Sequence, residues 1–127
     1  MVRMSSQMEN ILLAMLKAER DPTSTIGQIM TKNAEMHGKA GLGTMDLMPF
    51  IKGALALDAK GKYRQSVRRS YWRSLKTLLK HGLIRITLKK KPGKHGHLYG
   101  LTAKGRAKAE EVWAEVSMFV EERGKLI

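Results

Sequence analysis

Apolar residues recur along the first part of the chain at the spacing of amphipathic helices. The first predicted helix begins at a capping box formed by Ser6 and Glu9. A second helix follows Asp21-Pro22, interpreted as a cap and a first helical turn, and ends in the glycine-rich segment 38–43. The apolar face of the first helix carries Met8, Ile11, Leu12, Met15 and Leu16.

A third helix is predicted after Asp46, which would cap it. Pro49 would then lie in its first turn, where a missing N–H costs no hydrogen bond. The segment 58–65 has no apolar periodicity and predicts a turn. Residues 1–58 are therefore expected to form a set of N-terminal helices.

The clearest amphipathic pattern lies in residues 66–82, which predict a helix. Its apolar stripe consists of Val67, Tyr71, Leu75, Leu78 and Leu79. At 100° per residue, the opposite face carries Ser66, Arg69, Ser70, Arg73, Thr77 and Lys80. Gly82 is expected to end the helix, because glycine accepts the left-handed conformation there.

Residues 83–102 predict a β-hairpin with a basic, glycine-containing turn. Apolar residues alternate with polar ones along the first strand, which indicates one buried face with Ile86 pointing inward. Thr102 then begins a last helix, over residues 103–124. The elements together predict a mainly α-helical fold with one small β-hairpin.

Length and composition favour a single domain, residues 1–127, since 43% of the residues are hydrophobic and suffice for a core. No apolar run is long enough to cross a bilayer, and residues 1–10 lack the pattern of a secretory signal. The sequence contains no cysteine, which excludes disulfides and thiolate metal sites. We therefore expect a cytoplasmic protein without membrane association.

The net charge of +13 is concentrated in one part of the chain. Residues 1–58 carry 6 basic and 6 acidic side chains, and residues 109–127 carry 2 basic and 5 acidic ones. Residues 59–108 carry 16 basic side chains and no acidic one. Solvated surfaces normally mix both signs, so self-repulsion on this scale indicates a polyanionic partner that neutralises it.

A family resemblance covers about residues 66–110. SYWRSLKTLLKHGLIRI followed by LYGLTAKGRA resembles the recognition helix, strand and wing of winged helix-turn-helix regulators of the MarR and PadR type. Gly82-Leu83-Ile84 and the run from Leu101 to Gly105 match the pattern that these regulators share. The resemblance implies a winged helix-turn-helix fold, in which 66–82 is the recognition helix and 83–102 is the wing.

The resemblance also implies which residues contact DNA. An α-helix fits the major groove, where arginine makes two hydrogen bonds to guanine O6 and N7. Ser66 would in addition cap the recognition helix. The expected reading residues on that helix are Gln65, Ser66, Arg69, Ser70 and Arg73. The expected phosphate contacts on the wing are Lys89, Lys90, Lys91, Lys94 and His95.

Several of these residues also have an ordinary structural interpretation. Arg69 and Arg73 are compatible with a solvated helix face that binds nothing. Trp72 lies beside the apolar stripe and is expected to pack at the edge of the core rather than to stack on a base. Tyr71 and Tyr99 are expected to be core residues.

We expect no enzymatic activity, no cofactor and no metal. His95 and His97 form an H-x-H pair, but no third ligand lies nearby in the sequence. The basic segment contains no carboxylate that would act as a general base, and the chain lacks nucleophile-elbow, phosphate-loop and zinc-protease motifs.

The sequence therefore predicts sequence-specific binding of double-stranded DNA by a transcriptional regulator, with the recognition helix in the major groove and the wing on the phosphate backbone. A plasmid or phage partition or replication factor, and an RNA-binding protein, remain alternatives, because the charge pattern does not distinguish them. Winged-helix regulators usually pair, so a homodimer through the first and/or last helix is expected. The apolar residues of the last helix are Trp113, Val116, Phe119 and Val120.

Overall fold

The computed structural model describes residues 5–43, 46–48, 64–89 and 97–126, the last of these without the side chains of residues 116–126. This part of the chain is mainly helical and contains one two-stranded antiparallel sheet. None of its helices is both long and apolar enough to cross a membrane. The elements are α1 (Ser6–Arg20), α2 (Thr25–His37), α3 (Gln65–Lys80), β1 (Ile84–Leu88), β2 (Leu98–Leu101) and α4 (Ala103–Leu126).

Helix α1 is capped one residue earlier than predicted. The hydroxyl of Ser5 accepts a hydrogen bond from the N–H of Met8 at 3.2 Å, so Ser5 is the N-cap. Ser6 is instead the first helical residue, and the capping box predicted for Ser6 and Glu9 is wrong. Two adjacent serines make this choice ambiguous in the sequence, since either hydroxyl is a good N-cap acceptor.

Helix α2 also begins later than predicted. Asp21 ends α1, because its N–H bonds to a carbonyl of that helix, and Pro22 lies in the connecting turn. The N-cap of α2 is Ser24, whose hydroxyl accepts from the N–H of Gly27 at 3.0 Å. The predicted glycine termination is confirmed, since Gly38 adopts a left-handed φ of 72°.

The predicted third helix is described only at residues 46–48, which are helical. The carboxylate of Asp46 accepts from the N–H of Gly43 at 2.9 Å, and the Gly43 carbonyl accepts from the N–H of Leu47. Asp46 therefore reaches back from inside the first turn, as the acidic residue of a capping box does, rather than serving as the N-cap. Pro49 and residues 58–63 lie outside the described residues.

The predicted hairpin is confirmed at its base, and residues 90–96 at its turn lie outside the described residues. The backbone of Leu42 pairs with Tyr99 on the other side of β2, through two hydrogen bonds of 2.9 Å. The predicted inward position of Ile86 is wrong, since this side chain is 39% exposed. A register shift between Ile86 and Leu88 breaks the alternation and buries the Thr87 hydroxyl instead.

The core is organised around α1, which contacts α2, α3, α4 and β2. Its predicted apolar stripe is buried against these elements of the same chain. The predicted core positions of Tyr71, Tyr99, Leu75 and Leu78 are also confirmed. The fully buried side chains include Ile11, Leu12, Met15, Leu16, Ile26, Tyr71, Leu75, Leu78 and Tyr99.

Two ion pairs join α1 to α4. Arg106 makes a bidentate contact to Glu19, with nitrogen–oxygen distances of 2.8 and 3.0 Å. Its hydrogen bond to Glu19 raises the pKa of the Arg106 guanidinium above its ordinary value. Arg20 donates to Glu110 at 2.6 Å. These partly exposed pairs orient the two helices more than they stabilise them.

The start of α4 lies unusually close to the start of β1. The predicted start of the last helix at Thr102 is confirmed, and the Thr102 hydroxyl caps α4 by accepting from the N–H of Gly105 at 3.0 Å. The N–H of Thr102 donates to the carbonyl of Leu83 at 3.2 Å. A Cβ atom at Gly105 would lie 1.7 Å from that same carbonyl oxygen. The glycine of the Leu-Thr-x-x-Gly run is therefore required by close backbone packing.

Replacing Leu75 or Leu78 with alanine should lower the free energy of unfolding by about 2–5 kcal/mol, because both side chains are fully buried. The exposed Lys80→Ala variant is the control and should change it by less than about 0.5 kcal/mol. Urea unfolding followed by circular dichroism measures all three. If the leucine variants unfold like the control, α3 has a different rotation and its solvent face is assigned wrongly.

Replacing Gly105 with alanine should destabilise the protein by about 1–3 kcal/mol, because the methyl group would collide with the Leu83 carbonyl. An uncrowded helical glycine would behave oppositely and gain about 0.5–1 kcal/mol from this change. Ala107→Gly, at an exposed position of the same helix, calibrates the propensity scale and should cost about 1 kcal/mol. A stabilised Gly105→Ala variant in thermal unfolding would contradict the close approach of α4 and β1.

Candidate nucleic-acid interface

Helix α3 presents only basic, polar and aromatic side chains to solvent. Its buried side is formed by Tyr71, Leu75 and Leu78, which anchor it in the core. The helix therefore projects its other side from a packed scaffold. The exposed residues of α3 are Gln65, Ser66, Arg68, Arg69, Trp72, Arg73, Lys76 and Lys80.

Four of the five residues predicted to read DNA are exposed on this surface, and Ser70 is only half-exposed. Helix α1 covers the side of α3 on which Ser70 lies. The Gln7 amide of α1 donates to Ser74 Oγ at 2.8 Å and lies 3.5 Å from Ser70 Oγ. Thr77, also predicted on the solvent face, is half-exposed.

The centre of the exposed face of α3 therefore differs from the predicted one by a rotation of roughly 60° about the helix axis, counting 100° per residue. The rotation brings in Arg68, Trp72 and Lys76, three exposed residues that form one row of the helix. Their spacing of four residues is visible in the sequence. The apolar stripe alone, however, does not show on which of its two sides α3 is covered by another helix. Trp72 was expected at the edge of the core and is 41% exposed.

Lys76 contacts the Trp72 ring. Its ammonium nitrogen lies 5.7 Å from the ring centroid, within the range of cation–π attraction. Arg68 and Arg69 lie one turn before the indole, and Arg73 follows it directly. The exposed indole thus has exposed cations near it on the same helix, of which Lys76 contacts its ring.

The N-terminus of α3 is also basic. Its N-cap is Arg64, which makes no side-chain capping hydrogen bond, and no residue in its first turn is acidic. Ser66 lies inside this turn, so the prediction that it caps the helix is wrong. Arg64 and Arg68 thus stand at the positive end of the helix dipole, where cations are unfavourable and an anion would be stabilised.

The cations of α3 are not paired with carboxylates in the described part of the chain. The ion pairs found there involve Arg20, Arg106 and Lys108, which lie on α1 and α4. The acidic partners, Glu19 and Glu110 among them, lie on those same two helices. The carboxylates of these ion pairs therefore lie away from α3, whose exposed cations face solvent.

The hairpin contributes further positive charge. Lys89, at the end of β1, is exposed, and so is Arg85 within the strand. The other predicted phosphate contacts, namely Lys90, Lys91, Lys94 and His95, lie outside the described residues.

The rings of His97 and Tyr99 pack in a T-shaped arrangement, with the centroids 6.3 Å apart. Among the residues that the structure describes, no group of three or more His, Asp or Glu side chains is arranged to hold a metal ion. The pKa values of Tyr71 and Tyr99 are raised by burial, so both phenols stay neutral and leave the positive charge near α3 undiminished.

Comparison with known proteins identifies no relative: no family model, no curated protein and no solved structure matches the chain. The resemblance of residues 66–110 to winged helix-turn-helix regulators therefore stays a prediction. Any assignment of function depends on the surface chemistry of α3 and of the hairpin.

Proposed function

We propose that this protein binds double-stranded DNA as a winged helix-turn-helix transcriptional regulator, with α3 in the major groove and the β-hairpin on the phosphate backbone. The observation that carries the proposal is the solvent face of α3. That face is basic along the whole helix, contains no carboxylate and belongs to an element anchored in the core. A helix of this kind has the width and the chemistry to enter the major groove.

The residues of α3 suit two kinds of contact. Arg69 and Arg73 lie one turn apart on the exposed face, where the planar guanidinium group can make paired hydrogen bonds to guanine. Arg64 and Arg68 lie at the N-terminal end, close to uncapped backbone N–H groups, and suit a phosphate. Helix α3 would thus contact both a phosphate and base edges from one major groove.

The order of elements supports the proposed winged arrangement. Gly82 adopts a left-handed φ of 71° directly after α3 and lets the chain turn into β1. The hairpin therefore begins directly after the end of α3, and it carries the exposed cations Arg85 and Lys89. Lysine suits the phosphate backbone because it is a point charge on a flexible stem.

The homodimer interface that fits the proposal best is α4. The apolar stripe of α1 is buried in its own chain, which removes it from the predicted pair of dimer contacts. Residues 109–127 carry five acidic and two basic side chains, so this part of the chain would be repelled by phosphates. A twofold dimer built there would keep both copies of α3 free and predict a pseudo-palindromic site.

Selection of bound sequences from a random duplex pool tests binding, specificity and symmetry together. We expect one enriched site with pseudo-twofold symmetry, and an affinity that falls log-linearly with salt because phosphate contacts release counterions. Duplex RNA as competitor tests the alternative nucleic acid. A flat affinity between about 50 and 200 mM salt, or stronger binding to the RNA, would overturn the proposal.

Replacing Arg69 or Arg73 with alanine should cost about 1–3 kcal/mol of binding on the selected site and little on a scrambled duplex. Replacing Lys89, Lys90 and Lys91 together should weaken both complexes alike and make the salt slope shallower by up to about three units. Arg20→Ala is the control, because it removes the same charge from α1. Fluorescence anisotropy at several salt concentrations measures each variant.

Two outcomes of this experiment would contradict the proposed division of roles. Equal losses of the arginine variants on both duplexes would make Arg69 and Arg73 phosphate contacts. A loss confined to the selected site in the triple lysine variant would make the hairpin a reader of sequence. If Arg20→Ala weakens binding as much as the arginine variants of α3 do, the effect of charge is long-range and the contact surface is elsewhere.

A further inference from the structure

The Trp72 side chain is placed where a packing residue would not be. It lies on the solvent face of α3 and is 41% exposed, whereas Tyr71, its neighbour in sequence, is fully buried. Large aromatic side chains usually bury more of their surface, because each carries a large hydrophobic contribution. An exposed indole on this face is therefore available to a ligand that α3 contacts.

The surroundings of the indole limit what that partner is. Arg68, Arg69 and Lys76 lie within about one turn of Trp72 on the same helix, and every other exposed residue of α3 is basic or polar. A stable protein interface needs roughly 800 Å² on each partner with an apolar centre, which one exposed indole flanked by cations does not supply. The partner has to be mostly anionic and to offer one small apolar group.

Stacking on an unpaired base is disfavoured by Lys76. Its ammonium group lies over the ring, 5.7 Å from the centroid, and competes for the aromatic face that a base would need. The residue as a whole is 41% exposed, so part of its surface is available for a small apolar contact such as a methyl group.

We propose that Trp72 reads thymine in the major groove through an apolar contact with the C5-methyl group, an inference that rests on the proposed binding of double-stranded DNA. Thymine is the base that presents such a methyl group there, while the phosphates supply the anionic surroundings. Trp72 then gives α3 an apolar contact for thymine, next to the arginines that recognise guanine.

The experiment replaces each thymine of the selected site, one at a time, with deoxyuridine, which lacks only the methyl group. Wild-type protein should bind one such duplex about fourfold more weakly, the effect expected from the burial of one methyl. Trp72→Ala should bind the thymine and deoxyuridine duplexes equally. Trp72→Phe keeps an apolar ring and should retain a preference for thymine, which tests the contact if the alanine variant folds poorly.

Trp113→Ala is the matched control. Trp113 is also 41% exposed but lies on α4, so its loss should leave the ratio of thymine to deoxyuridine affinity at the wild-type value whatever it does to total affinity. Circular dichroism melting should show that Trp72→Ala folds like the wild type.

The outcomes separate the two proposals. A wild-type protein that selects no duplex would overturn the proposed function and this inference with it. A selected site at which every deoxyuridine is tolerated, or which contains no thymine, would overturn the inference alone. So would a Trp72→Ala variant that keeps the wild-type preference for thymine.

Discussion

Burial of the apolar stripe of α1 is the interaction on which the other elements depend. Ile11, Leu12, Met15 and Leu16 are removed from water almost completely, and each such side chain contributes about 1.5–3 kcal/mol when fully buried. The same helix touches α2, α3, α4 and β2, so one stripe positions elements from both ends of the chain. Without α1, neither the rotation of α3 nor the docking of α4 would be defined.

The polar contacts of α1 help to separate the acidic side chains from the basic face of α3. Glu19 pairs with Arg106, and Arg20 pairs with Glu110. These two ion pairs keep both carboxylates at the contact between α1 and α4. On its other flank, the Gln7 amide covers the serine side of α3. The arginines of α3 are left facing solvent on the opposite flank. The separation of charge is thus a consequence of how the helices pack.

The proposed function uses this separation directly. A recognition surface on a packed helix loses little conformational entropy on binding, because the helix is ordered beforehand. Arginine suits α3, because an ordered helix fixes the direction in which its planar guanidinium group donates hydrogen bonds. Lysine suits the hairpin, where the charge matters more than its direction. Trp72 belongs to the proposed recognition surface of α3, since it lies on that helix and is contacted by Lys76. Specificity would therefore come from α3, whereas affinity would come from both α3 and the hairpin.

Local patterns in the sequence determined the elements of this protein. The apolar stripe of α3, the hairpin, the glycine ends at Gly38 and Gly82 and the start of the last helix at Thr102 were all predictable, because each depends on neighbouring residues and their periodicity. The excess of positive charge in residues 59–108 was equally visible.

Which polar residues of α3 face solvent was decided only by the tertiary structure. Binary patterning treats serine and arginine alike as polar, although a short hydroxyl can be buried by one hydrogen bond and a guanidinium cannot. Gln7, more than sixty residues away, supplies that bond to Ser74. The solvent face therefore turns away from Ser70 toward Arg68, Trp72 and Lys76, because the flank that α1 covers depends on a contact distant in sequence.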